Sequence, residues 1–227
     1  MAERFSDDFI TWHHKTPIGV KVDEVFGMDS KSGKVWIELA RQIYCELGEP
    51  RYRVISHYDS GAPYLEGYNG RISITHTTHF LAVASLPKTP EVNLEFFNPR
   101  AALGIDAEPL DRAQVIKVRD KFLSEKEQNF IPESDLKTNI LAWTSKEALY
   151  KAALTPGLDF RNNIELIQLP KLECENSKFD ESVLGEALIH LPVNGSMEIV
   201  PMKLYSYCSY DCCVTIAVSP KANRFGK

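Results

Sequence analysis

The sequence predicts a mixed α/β (α+β) chain, and three observations carry that prediction. Arg71 to Ser85 and Ala101 to Glu108 alternate with strand period, whereas Lys34 to Leu47 and Leu136 to Leu154 repeat apolar residues at helical spacing. Cys213 to Val218 follows Tyr207 to Cys212 much as Phe80 to Ala84 follows Ile74 to His79. That faint internal echo is consistent with two similar lobes whose seam lies just before Gly104.

Taken in order, the chain opens on a weakly patterned leader. Lys34 to Leu47 then reads as a helix, with Val35, Leu39, Ile43 and Leu47 on one stripe and Gly48 and Pro50 ending it. Arg71 to Ser85 reads as a hairpin turning near Thr77 and Thr78, with Phe80 to Ala84 as a buried return strand. From Ala101 to Glu108, Leu103, Ile105 and Ala107 share one face while Gly104, Asp106 and Glu108 share the other. Asp111 to Phe122 is expected as one helix and Ser124 to Phe130 as the start of another. Leu136 to Leu154 is expected as a long helix stopped by Pro156 and Gly157. Weaker strands are expected around Ile164 to Leu169, Gly185 to Leu191 and Met197 to Tyr205, before the apolar run Cys213 to Val218.

Composition narrows the function classes. With 227 residues, 44% hydrophobic and 25% charged, the chain can bury a core and reads as soluble. A net charge of -5 argues against a protein that coats nucleic acid or an anionic membrane. Phe9 and Ile10 sit among Arg4, Asp7, Asp8, His13 and Lys15, so neither a signal peptide nor a membrane span is expected. The five cysteines, odd in number and without framework spacing, suggest a reducing compartment such as the cytoplasm. Adjacent Cys212 and Cys213 should point to opposite faces of a strand, which favours core residues over metal ligands.

The candidate chemistry lies in carboxylates and lysines carried on these elements. Asp106 and Glu108, two apart on one strand, can offer oxygens to one hard cation, with Gly104 sparing room for a ligand; a solvent-facing edge strand is the competing reading. Glu147 falls on the helical stripe of Leu136, Ile140, Trp143 and Leu154, where a carboxylate needs a partner. Lys151, one turn on, would pair with it on a surface, yet Lys146 and Lys151 together would also place ammonium groups beside a bound phosphate. Ser124 to Glu127 spells a capping box in which Glu127 would close back on the Ser124 amide, and from spacing alone the cap is the better reading. His76 shares a strand face with Ile72 and Ile74, and without further context it reads as a core histidine rather than an anion ligand.

In order and spacing, Gly104-Ile105-Asp106-Ala107-Glu108 followed by Trp143-Thr144-Ser145-Lys146-Glu147-Ala148-Leu149-Tyr150-Lys151 resembles the 4′-phosphopantetheinyl transferases, specifically the surfactin-synthetase-activating type. Phe122-Leu123-Ser124 leading to Glu127, and Ile74-Thr75-His76-Thr77, extend the likeness. The resemblance implies two pseudo-symmetric lobes, residues 1–103 and 104–227, with a cofactor cleft between them. It implies a monomeric transferase that moves the phosphopantetheine arm of coenzyme A to a serine of an apo carrier protein.

By the same resemblance, Asp106, Glu108 and Glu147 would hold Mg²⁺ or Mn²⁺, Glu127 would take the serine proton, and Lys151 would bind phosphate and steady the leaving group, with Lys146 as a helper. Thr75 and His76 would contact the 3′-phosphate of the nucleotide, and Lys31 and Ser32 would approach it. Two departures stand out. Gly61-Ala62-Pro63 lacks the lysine or arginine that relatives often carry in the middle, and Met1 to Ser30 lacks a charge-dense N-terminal helix. They motivate an alternative, an idle relative that binds coenzyme A or a carrier as a module; a metal-dependent phosphohydrolase ranks lower. Acidic carriers would need a local basic surface, for which Arg112 to Lys126 is one candidate and an ordinary amphipathic helix the other reading.

Overall fold

The computed structural model describes residues 2–6, 9–27, 55–66, 68, 70–87, 103–173 and 183–219. The helix expected over Lys34 to Leu47 lies outside these residues, as do Lys31 and Ser32.

Strands β1 (Ala2–Ser6), β2 (Phe9–Lys15) and β3 (Lys21–Gly27) precede a short hairpin, β4 (Ile55–His57) with β5 (Pro63–Leu65). Strands β6 (Gly70–His76) and β7 (Phe80–Pro87) form the expected hairpin about Thr77 and Thr78, and complete an antiparallel sheet of order β1-β2-β3-β7-β6. The second half begins with β8 (Leu103–Pro109) and three short helices, α1 (Gln114–Lys117), α2 (Arg119–Phe122) and α3 (Glu125–Gln128). The long helix α4 (Leu136–Ala153) follows, then β9 (Ile164–Gln168), β10 (Leu172–Glu173), β11 (Gly185–Val193), β12 (Ser196–Ser209) and β13 (Cys212–Val218). The second sheet runs β8-β13-β12-β11-β9, with β10 beside β12. The fold is thus mixed α+β.

Three apolar clusters show how the layers stack. Val22, Phe80, Ala82 and Ala84 from the first sheet meet Leu103, Ile105, Val214 and Ile216 from the second, so the sheets pack face to face. The opposite face of the second sheet, including Cys213, Ala217, Leu204 and Ile189, packs on Ile140, Ala148, Leu149 and Ala152 of α4. A third cluster, Val25, Ile72, Leu81 and Val83, lies on the far side of the first sheet with Leu65. β7 therefore contributes to two clusters, one on each face, as its continuous apolar run requires. Cys212 and Cys213 fall in different clusters, facing opposite ways as expected. Burial pushes both thiols up to about 11, which makes them inert packing groups. Cys208, by contrast, is disulfide-bonded, a departure from the all-thiol state that the cysteine count suggests.

Polar contacts join the sheets as well. Glu24, buried on β3, accepts hydrogen bonds from the Tyr207 hydroxyl at 2.6 Å and the Ser209 hydroxyl at 2.6 Å, both on β12. The β8 edge is closed by hydroxyls rather than by another strand: Ile105 N–H donates to Ser73 Oγ at 3.0 Å, and Ala107 N–H to Thr75 Oγ1 at 3.0 Å. An edge strand's backbone donors are thus satisfied inside the protein, so the solvent-facing reading of β8 does not hold.

The helices differ from expectation in two ways. The single helix expected over Asp111 to Phe122 breaks at Val118 into two four-residue pieces, and Arg119 turns inward to donate to Asn139 Oδ1, Gln128 O and Ile131 O. Helix α4 itself spans the expected residues, with Leu154 as its left-handed C-cap at a φ of 52°. Its buried positions, among them Leu141, Ala142, Ser145, Ala148 and Leu149, encircle most of the helix, so no single stripe through Glu147 exists. Among the described residues, no helix is long and apolar enough to cross a membrane.

Candidate functional site

Gly104 decides how the site is assembled. A Cβ built there would stand 1.9 Å from the Ala148 carbonyl oxygen and 2.7 Å from the Ala152 nitrogen, both backbone atoms of α4. The missing side chain therefore makes room for the helix, not for a ligand as the sequence suggested. With Gly104 pressed against α4, Asp106 and Glu108 on the same face of β8 are carried toward the next turns of that helix. Glu147 and Lys151 are on those turns.

Asp106 is buried, and its Oδ1 receives Lys151 Nζ at 2.7 Å and Thr75 Oγ1 at 3.1 Å. Its Oδ2 is buried with no hydrogen-bond partner among the described residues. A bare carboxylate oxygen in the interior costs free energy unless something cationic or protic meets it. Lys151 Nζ spends its other contacts on the carbonyls of Ile105 at 3.1 Å and Ile74 at 3.3 Å, thereby tying β6 to β8. Glu108 is also buried; its Oε1 accepts from Trp143 Nε1 at 2.8 Å and its Oε2 pairs with Arg112. Trp143 is itself wedged against Phe122 and Phe160.

The three carboxylates feel one another. Burial raises the Glu147 carboxyl to about 7, with the charges of Asp106 and Glu108 adding to the rise and Lys151 opposing it. Burial likewise raises Asp106, against the pull of Lys151, and raises Glu108, where Asp106 adds to the effect. Among the described residues no three His, Cys, Asp or Glu side chains already close on a single point. The donor set nevertheless fits a hard divalent cation: the ligands are all oxygens, their pKa values are raised above all by burial, and one buried oxygen is unpartnered among the described residues.

A cavity of about 380 Å³ opens beside Asp106 and Glu108, bounded also by Thr75, His76, Thr77 and Lys151, whereas Glu147 does not line it. His76 is exposed at its wall, which corrects the core-histidine reading; the alternation that buries Ile72 ends before the strand's last residue. Thr75 is buried, and its hydroxyl is engaged with Asp106 and Ala107 N, so in this structure it holds the carboxylate rather than reaching a phosphate.

Glu127 and Lys146 belong elsewhere. The capping box forms as the sequence spells it, with Ser124 N–H and Oγ–H both donating to Glu127 Oε2, at 2.7 and 2.9 Å. Lys146 Nζ also reaches Oε2 at 2.8 Å, and Leu166 N–H donates to Oε1 at 2.7 Å. Lys146 completes its set with the carbonyls of Phe160 and Ile164, both at 2.7 Å. Neither side chain is exposed at all. As they stand, a base at Glu127 and a phosphate ligand at Lys146 are closed off from the cavity; successive helical residues point about 100° apart, so Lys146 cannot share Glu147's side. The basic segment proposed for carriers also shrinks, since Arg119 is buried, Arg112 pairs with Glu108 and Lys126 pairs with Glu165. Sequence reasoning missed Arg112 and the Trp143 indole as partners of Glu108. The four-residue spacing of Glu108 and Arg112 across a turn was the only signal.

The site defines a class first: an α+β protein with an acidic, lysine-edged cavity between two sheets, suited to a phosphate ligand accompanied by a hard cation. Residues 102–190, running from the start of β8 into β11, match the family model of the 4′-phosphopantetheinyl transferase superfamily. This stretch, which holds the carboxylates and α4, is therefore similar to that superfamily. A search of curated proteins finds no match.

Proposed function

We propose that this protein is a Mg²⁺-dependent 4′-phosphopantetheinyl transferase of the surfactin-synthetase-activating type, acting on coenzyme A and an apo carrier protein. One observation carries the reading. A buried carboxylate with a bare oxygen, Asp106, stands with Glu108, Lys151 and His76 at the wall of one cavity, and its charge adds to the burial that raises the Glu147 carboxyl. The superfamily match over the same residues supports it.

On this reading Asp106, Glu108 and Glu147 would hold the ion, which would offset the charge of the coenzyme A diphosphate. Lys151 keeps Asp106 oriented, and a phosphate oxygen in the cavity would take the place of one of the backbone carbonyls that its ammonium holds here. His76, exposed on the wall, would donate to the 3′-phosphate when protonated. The carrier serine oxygen forms a new bond to phosphorus as the diphosphate bridge breaks, and adenosine 3′,5′-bisphosphate leaves. The serine proton would leave to solvent water at the open cavity, since Glu127 is fully buried against Ser124, Lys146 and Leu166. The monomer that the resemblance implies is part of this reading.

Ala62, where relatives often carry a cation, favours a second reading in which the chain binds coenzyme A or a carrier without transfer. Incubation with apo carriers, coenzyme A and Mg²⁺ separates the two. A carrier mass gain of one phosphopantetheine is expected, and no gain on any of several carriers would leave only the binding module.

A further inference from the structure

Two cations neutralise the carboxylates in this structure, and they are held very differently. Lys151 is fixed by Asp106 and by two backbone carbonyls on separate strands. Arg112, on the turn after β8, makes one side-chain ion pair among the described residues, to Glu108, and its side chain remains 42% exposed while lining the cavity. A guanidinium carries five donors in a planar fork, so a single partner leaves most of them open. The oxygen it occupies belongs to a group that a divalent ion would need, and a bound ion would repel the guanidinium from it.

Resting on the metal and phosphate reading above, we propose that Arg112 is a phosphate-binding residue held in reserve. It occupies Glu108 while that carboxylate has no metal, and swings to a phosphate oxygen of the ligand once the ion takes its place. Several features converge on this role. The unpartnered Asp106 Oδ2 marks where positive charge is lacking, on the same wall as Arg112. Glu108 keeps its orientation from the Trp143 indole at 2.8 Å when the guanidinium departs. Arginine, unlike lysine, grips a phosphate with two parallel hydrogen bonds. The chain thus supplies from its own cleft a cation that Ala62 does not provide. Metal and phosphate then bind cooperatively, because the ion frees the residue that the phosphate needs.

Calorimetric titration of the full chain tests this, using Mg²⁺ alone and then inorganic pyrophosphate at saturating Mg²⁺, in the wild type, Arg112→Ala and Arg112→Lys. In Arg112→Ala, pyrophosphate affinity should fall about 10- to 100-fold, the range of a charged hydrogen bond, while Mg²⁺ alone binds as well or better because its competitor is gone. Arg112→Lys should recover part of the pyrophosphate affinity. Unchanged pyrophosphate affinity in Arg112→Ala overturns the proposal. So does a parallel loss of Mg²⁺ affinity, which would make Arg112 only a support for Glu108. A wild type that binds neither Mg²⁺ nor pyrophosphate would bring down the metal and phosphate reading together with this one.

Discussion

Lys146 Nζ lies 2.8 Å from Glu127 Oε2, with neither side chain exposed, and every other polar contact of the pair is made to the chain itself. This ion pair ties α3, α4 and β9 together. Burial lowers the lysine's pKa while Glu127 holds it up, so each charge depends on the other. Removing one partner leaves an uncompensated interior charge, at a cost of about 3–5 kcal/mol. Glu127→Gln and Lys146→Met should each lower unfolding free energy in urea by about that much, and the double variant should cost less than the sum. Full stability in Glu127→Gln with loss of transfer would instead restore the base assignment.

Gly104→Ala is expected to be damaging at a position that looks tolerant. The new Cβ would meet the Ala148 carbonyl and the Ala152 nitrogen, and neither backbone atom can move without shifting α4. Overpacking costs about 1–3 kcal/mol in ordinary cores, and a backbone clash belongs at or above the upper end. Because α4 carries Glu147 and Lys151, Mg²⁺ binding should be lost even where the variant folds. Denaturation with a Mg²⁺ titration measures both, and a wild-type result in each would show that α4 does not need this approach.

What the sequence revealed follows from where its patterns are unambiguous. Helix α4 and strands β6, β7, β8 and β13 were legible because long apolar runs at one period leave little choice. Strand β3 was not, because Glu24 occupies a position facing the second sheet, where an apolar residue would have completed the alternation. The acids of β8 were legible as a set, but Gly104 was assigned to the wrong neighbour, since spacing along a strand does not say what packs on it. Arg119 and Lys146 read as surface cations. Only the carbonyls and amides brought in from distant segments reveal them as interior groups.

Burial of the carboxylates, with their mutual repulsion adding at Glu147 and Glu108, should set the pH dependence of the metal-free protein. Glu147 stands at about 7 against an ordinary 4.5, so between those values the folded chain holds more protons than the unfolded one. Stability is then full below about 4.5 and is lost as pH rises through 7. A tenfold change in proton affinity is worth about 1.4 kcal/mol; allowing for partial exposure, a loss on the order of 2 kcal/mol is expected from this group. Asp106 and Glu108, also raised, act in the same direction. Urea midpoints in chelator should therefore fall from pH 5 to pH 8, fall less in Glu147→Gln, and recover with Mg²⁺ in the wild type alone. Equal slopes in the two proteins would remove Glu147 from the cluster.

Thr75 joins the two sheets and the acidic cluster through one hydroxyl, which accepts from Ala107 N–H and donates to Asp106 Oδ1. Thr75→Val keeps the shape and the branched Cβ but leaves the buried amide without an acceptor and Asp106 with one donor fewer. A buried donor left unsatisfied costs about 1–3 kcal/mol, and the variant should unfold correspondingly earlier in urea. Thr75→Ser, which retains the hydroxyl, should recover most of that loss. Mg²⁺ affinity should follow the same order, wild type and Ser above Val, because Asp106 is then held by Lys151 alone and its carboxylate is free to rotate away from the ion. A Val variant that is less stable yet binds Mg²⁺ as tightly as wild type would confine Thr75 to joining the sheets.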